Sequence, residues 1–121
     1  MPGVGFTPLR RIVLAARYSW QGLRAAWRRQ AALRYEVCLS LPIVALGWWL
    51  GRSGVERALL IGSWLAVIVV ELVNSAIETV VDRIGSDLNE LSGRAKDLGS
   101  AAVFCSIVVA ATVWLLVLLD R

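Results

Sequence analysis

The stretch LGSAAVFCSIVVAATVWLLVLL, residues 98–119, holds no charged side chain, and about 20 apolar residues suffice for a helix to cross the hydrocarbon core of a bilayer. It predicts a membrane span on its own, because backbone polar groups find no partner in lipid and a helix satisfies them internally. Toward the N-terminus, a second apolar run begins at Ala58, stays uncharged to Val70 and continues past Glu71 through Leu72, Val73, Ala76, Ile77, Val80 and Val81. A third, from Val37 to Leu50, is shorter and contains Pro42; it spans if Arg34, Glu36 and Arg52 snorkel or if its helix starts earlier. With 58% of the 121 residues hydrophobic and 18% charged, the chain is too apolar for an ordinary soluble domain. The expected architecture is a single all-α membrane domain: a surface helix over 7–29, spans over 32–51, 57–81 and 98–119, and a polar loop over 82–97.

Thr7-Pro8 reads as an N-cap followed by proline at the first helical position, where the missing N–H has no cost. Leu9, Ile12, Val13, Ala16, Trp20, Leu23 and Trp27 then recur at helical spacing, with Arg10, Arg17, Gln21, Arg24 and Arg28 on the opposite side. A basic amphipathic helix beside a span belongs in the membrane interface. The basic residues set orientation. With the N-terminus in the cytoplasm, ten of the 13 Lys and Arg residues fall inside, and Arg52, Arg57 and Arg121 fall outside. Trp48 and Trp49 then sit in the outer aromatic belt. The first apolar run begins too far from Met1 for a cleavable signal peptide, so the N-terminus is expected to be retained. The single Gly47-x-x-x-Gly51 match hints at close helix packing. Cys38 and Cys105 fall inside apolar runs and are expected to be small buried hydrophobes, not a disulfide. The absence of histidine removes the usual axial pair of a membrane haem and any histidine zinc site.

The second span carries the chemistry. Glu71, Asn74, Ser75, Glu78 and Asp82 form one polar stripe about 16 Å long on an otherwise apolar helix. The span's direction places this stripe at the cytoplasmic end. Each intramembrane carboxylate costs about 2.5–3.5 kcal/mol on insertion scales, so two on one face need a compensating role. A structural ion pair is the bland explanation and a functional site the better one. Just beyond lie Gly85-Ser86, Ser92-Gly93-Arg94 and Lys96-Asp97. A lysine there meets a phosphate as a point charge, and glycines let backbone N–H groups approach one. Neither a GxxxxGK[ST] loop nor the protein-kinase HRD and DFG signatures occur. Phosphoryl transfer needs a group to orient or deprotonate the attacking hydroxyl, a divalent metal and cations around the charge, and this segment offers all three.

The run Glu71-Leu-Val-Asn74-Ser-Ala-Ile-Glu78-Thr-Val-Val-Asp82-Arg-Ile-Gly-Ser, followed by Leu91-Ser-Gly-Arg-Ala-Lys96-Asp97-Leu-Gly-Ser100, closely resembles the bacterial integral-membrane diacylglycerol kinase family. Tyr18-Ser-Trp20-Gln-Gly-Leu-Arg24-Ala-Ala-Trp27 resembles that family's surface helix, and the resemblance covers nearly the whole chain. It implies a homotrimer of three-span subunits in the bacterial inner membrane, with the active site cytoplasmic, that uses MgATP to phosphorylate diacylglycerol to phosphatidic acid. No nucleic-acid partner is expected. On matching positions it implies that Glu71 is the general base and Glu78 a metal ligand. Arg11, Tyr18, Asn74, Asp87, Asn89, Lys96 and Asp97 match the nucleotide site; Arg11, Ser19, Trp20, Arg34, Glu71 and Ser100 match the lipid site. For Arg11 a headgroup-facing cation, and for Tyr18 an interfacial anchor, are nearly equal alternatives.

Two positions depart from the family pattern. Gln30 stands where a second metal-binding glutamate is usual, and a neutral amide is the poorer ligand for Mg²⁺; Asn89 replaces a loop histidine. Alternatives remain within and outside the class. A polyprenol kinase acting on undecaprenol has a similar site, an intramembrane glutamate also suits a small proton-coupled transporter, and a purely structural assembly protein has the lowest prior. The single-ended stripe and the loop lysine argue against transport.

Overall fold

The computed structural model describes residues 7–85 and 87–121, which form four helices: α1 (Pro8–Arg29), α2 (Ala31–Leu50), α3 (Gly54–Ile84) and α4 (Glu90–Leu119). Helix α1 opens as the Thr7-Pro8 pair predicts, with Thr7 Oγ1 accepting from the Arg10 N–H at 3.4 Å. α2, α3 and α4 contain 20, 31 and 30 residues, about 30, 46 and 45 Å at 1.5 Å per residue. All three are long and apolar enough to cross a membrane, and the chain is a multi-pass membrane protein.

Helix α2 runs unbroken through Pro42 and starts at Ala31, ahead of the apolar run, which supplies the length that run lacked. α3 continues to Ile84 and α4 begins at Glu90, so the polar connection expected over 82–97 is helical at both ends and extends outside helices only over 85–89. Arg83 in the last turn of α3 complements the helix dipole and Asn89 caps α4, which explains why these polar residues extend the helices. Ser86 of the Gly85-Ser86 pair lies outside the described residues.

Helix α3 is central and packs on both α2 and α4. Leu60, Val67, Asn74 and Val81 recur every seven residues and are all buried, so one seam of α3 faces its neighbours. Small residues admit the partners: Gly47 on α2, and Gly99 and Ala110 on α4, are the buried positions opposite this seam. A Cβ on Gly47 would stand 3.2 Å from Ile61 and 3.3 Å from Leu60. Indole N–H groups stitch the helices. Trp114 donates to the Leu60 carbonyl at 3.0 Å, and Trp64 donates to Ser40 Oγ at 2.8 Å.

At the end away from Asp82, Ser53 caps α3 by accepting from the Glu56 N–H at 3.1 Å, and Glu56 accepts from the Arg52 N–H at 2.7 Å. The Arg121 guanidinium reaches back to the Leu50 carbonyl and to Glu56, and Arg57 stacks 4.4 Å over the Trp48 ring. Cys38 and Cys105 are both free thiols. They are exposed on the outside of the chain, not buried, because they point away from the α3 seam.

Candidate functional site

The polar stripe of α3 turns inward. Glu71, Asn74 and Ser75 are each only 7% exposed, so a single chain already shields these three side chains, while Glu78 is half-buried and Asp82 exposed. The Ser75 hydroxyl donates to the Glu71 carbonyl at 3.0 Å, and the Thr79 hydroxyl donates to the Ser75 carbonyl at 2.8 Å. These back-bonds satisfy the hydroxyls within the helix. Asn74 Nδ2 donates to Glu78 Oε1 at 3.3 Å, whereas Asn74 Oδ1 is buried without a hydrogen-bond partner among the described residues.

One helical turn further, Asp82 accepts an ion pair from Lys96 Nζ at 2.6 Å, across α3 and α4. Lys96 precedes the uncharged stretch that begins at Leu98. Asp82's hydrogen bond and charge hold its pKa above the ordinary value, which keeps the ammonium protonated at neutral pH. The pair is exposed, so it contributes little to stability. It leaves a cation beside Glu78, the next carboxylate along α3. Asp87, Asp97 and Ser100 are exposed at the same end of the helices.

A residue outside the sequence-derived site joins this group. Glu36, on α2, has a buried Oε2 with no hydrogen-bond partner among the described residues, on a helix that packs against α3. The signal was present in the sequence, since Glu36 is the first acidic residue of the chain and sits at the edge of an apolar run.

Helix α1 packs on α2 and borders two open cavities. One, of about 520 Å³, lies between α1 and α3 and is lined by Ser19, Ala26, Gln30, Leu72, Ser75 and Thr79 among others. The second, of about 410 Å³, is apolar, with Trp20, Leu23, Trp27, Leu33, Val37 and Ile68 in its wall. Ser19 and Trp20, adjacent in sequence, therefore line different cavities. Arg11 and Tyr18 are exposed on α1.

Three of the expected site residues already hold structural bonds. Gln30 is the hinge between α1 and α2, its extended backbone (φ −112°, ψ 102°) ending one helix and opening the next. It lines the cavity against Ser75 and Thr79, while Glu78 is held by Asn74 on the side of α3 that faces α4. Arg34 Nη1 donates to the carbonyls of Trp27 at 2.9 Å and Arg28 at 3.1 Å, capping the C-terminus of α1. Asn89 Oδ1 accepts from the N–H groups of Leu91 at 2.9 Å and Ser92 at 3.2 Å, so it serves as the N-cap of α4. Asn89→Ala is expected to lower stability by about 1 kcal/mol and Asn89→Asp to leave it nearly unchanged. Thermal unfolding in one detergent checks both.

The donor set suits Mg²⁺. Glu78 offers a hard anionic oxygen beside Lys96, and one or two protein carboxylates are the usual share for this ion, with phosphates and water completing the shell. Among the described residues no group of three His, Cys, Asp or Glu side chains is placed to hold a metal.

Compared with known proteins, the sequence model described as prokaryotic diacylglycerol kinase matches residues 17–118. Diacylglycerol kinase of Escherichia coli (strain K12) is 54% identical over 114 residues, covering 94% of this chain and 91% of that protein. Diacylglycerol kinase of Haemophilus influenzae is 45% identical over 108 residues, covering 89% and 92%, and that of Pseudomonas aeruginosa is 43% identical over 118 residues, covering 98% and 96%. The family match takes in every site residue named above except Arg11.

Proposed function

We propose, for a chain that belongs to the prokaryotic diacylglycerol kinase family, that its transfer of the ATP γ-phosphate to diacylglycerol is carried by the α3 stripe, with Glu71 as base and Glu78 as metal ligand. As a diacylglycerol kinase it makes phosphatidic acid. The observation that carries the assignment of roles is the burial of Glu71 one turn from the Asn74–Glu78 pair. Glu71 accepts the proton of the lipid hydroxyl as that oxygen attacks the γ-phosphorus. The new bond is lipid oxygen to phosphorus, the bond that breaks joins phosphorus to the bridging oxygen, and ADP departs with that oxygen. Glu78 would hold Mg²⁺, which would supply charge neutralisation to the phosphates. Lys96 passes from Asp82 to the phosphates, and Asn74, Asp97, Asp87, Asn89, Arg11 and Tyr18 form the rest of the nucleotide side. Ser19, Trp20, Arg34 and Ser100 face the lipid side, where the apolar cavity beneath α1 suits an acyl chain.

The site opens to the cytoplasm of the bacterial inner membrane, with α1 in the interface. The subunits form a homotrimer. Glu36 Oε2, buried without a hydrogen-bond partner among the described residues, supports a site completed by neighbours or ligands. Crosslinking in native membranes is expected to trap trimers, and monomers alone would overturn the assembly. The reaction is tested by incubating the purified chain in mixed micelles with γ-labelled ATP and diacylglycerol, undecaprenol or no lipid. Label is expected in phosphatidic acid, and lipid-independent ATP consumption would sink the assignment.

Gln30 lines the α1–α3 cavity with Ser75 and Thr79, whereas Glu78 is bonded to Asn74, so a metal site that takes in both positions is one arrangement and a site at Glu78 alone the other. Gln30→Glu distinguishes the arrangements. With a shared site it lowers the Mg²⁺ concentration for half-maximal activity about tenfold, as a ligand contributing roughly 1.4 kcal/mol would. An unchanged Mg²⁺ titration at saturating ATP and diacylglycerol removes position 30 from the metal.

A further inference from the structure

We infer that Gly99 is a positioning residue of the phosphoryl-transfer site, acting through Asn74 on Glu78; the inference rests on the reading of Glu78 as the metal ligand.

Gly99 is buried in α4, three residues past Lys96 and beside Ser100. A Cβ built there would collide with Asn74 Oδ1 and stand 3.2 Å from Asn74 Cγ. The volume a side chain at 99 would fill is therefore occupied by the amide of Asn74. This differs from Gly47, whose missing Cβ makes room for apolar carbons of Leu60, Ile61 and Trp114. There the glycine serves packing, whereas at position 99 it serves one polar side chain.

The seat fixes which way the amide points. Glu78 is the acceptor, so the asparagine atom facing it is the NH₂, at 3.3 Å, and the oxygen is turned toward Gly99. No hydrogen bond from the described residues holds that oxygen; the shape of the notch does. Asn74 takes the place in the α3 seam that Leu60, Val67 and Val81 take one or more heptads away, so the backbone around it is held by apolar packing while its amide meets Glu78 and Gly99. A methyl at 99 turns the amide about its soft terminal torsion. The long contact to Glu78 is then lost, and with it the only hydrogen bond to that carboxylate among the described residues. Groups that orient a metal ligand typically contribute 10–100-fold to metal affinity.

The test uses the full chain in detergent micelles, with Mn²⁺ affinity read by electron paramagnetic resonance in the presence of a non-hydrolysable ATP analogue, so that turnover plays no part. Gly99→Ala and Asn74→Ala are each expected to weaken Mn²⁺ binding about tenfold. The double variant is expected to be no weaker than Asn74→Ala alone, because the colliding atom is gone. Gly62→Ala, at a glycine with nothing within 4 Å of its Cβ position, is expected to bind as wild type. Wild-type affinity in Gly99→Ala, or additive losses in the double variant, would overturn the positioning role. Unchanged affinity in Glu78→Gln would instead remove the metal reading on which it rests. If Gly99→Ala does not assemble, recovery of the folded trimer in Asn74→Ala/Gly99→Ala supports the seat, and failure of both overturns it.

Discussion

Glu71→Gln is expected to lower diacylglycerol phosphorylation by about 10³-fold, within the range that a positioned general base contributes, while the folded assembly persists. Glutamine keeps the shape of glutamate and loses only its ability to take the proton. The surroundings tolerate the change. Ser75 bonds the backbone carbonyl of residue 71 and not its carboxylate, so the α3 geometry does not depend on the charge. Glutamine at a site only 7% exposed also removes a buried charge without changing side-chain volume, so the substitution is not expected to unfold the chain. Turnover measured beside size-exclusion in the same detergent checks both halves. Near-normal turnover in a correctly assembled variant would remove Glu71 as the base.

The stripe was legible in the sequence because helical periodicity and the scarcity of carboxylates in lipid act together. Offsets of 3, 4, 7 and 11 from Glu71 fix a face, and the cost of burying charge says that the face matters. The apolar run 98–119 was equally plain. Periodicity says nothing about which neighbour a face meets, and that is where the reading stopped short. Glu36 reads as the polar edge of a short span, yet its Oε2 is buried once α2 packs on α3. The polar segment after Asp82 looked like a loop because glycine, serine and charges dominate it, yet Asn89 caps a helix there and Lys96 meets Asp82 from that helix's second turn. Arg34 and Asn89 show the converse limit. Their types suit ligand contacts, but carbonyls and N–H groups at helix ends compete for the same atoms, and only coordinates reveal that competition.

Glu78→Gln should produce the second large effect, and one of a different kind. The amide oxygen of glutamine still accepts from Asn74 Nδ2, so the hydrogen bond observed at 3.3 Å survives with its geometry, and Lys96 stays paired with Asp82 at 2.6 Å. Only the anionic charge disappears. A hard dication held by one or two protein carboxylates loses much of its affinity when one becomes neutral, and the Mg²⁺ concentration for half-maximal activity is expected to rise by at least about 100-fold, equivalent to roughly 2.7 kcal/mol. High Mg²⁺ then restores part of the turnover, because the phosphates and water still complete the shell. That rescue separates the two carboxylates, since no concentration of metal replaces the proton acceptor missing in Glu71→Gln. Titrating Mg²⁺ for wild type and both variants in identical micelles reads the difference. A Glu78→Gln variant with wild-type Mg²⁺ dependence, or a Glu71→Gln variant recovered by metal, would reverse the roles assigned along the stripe.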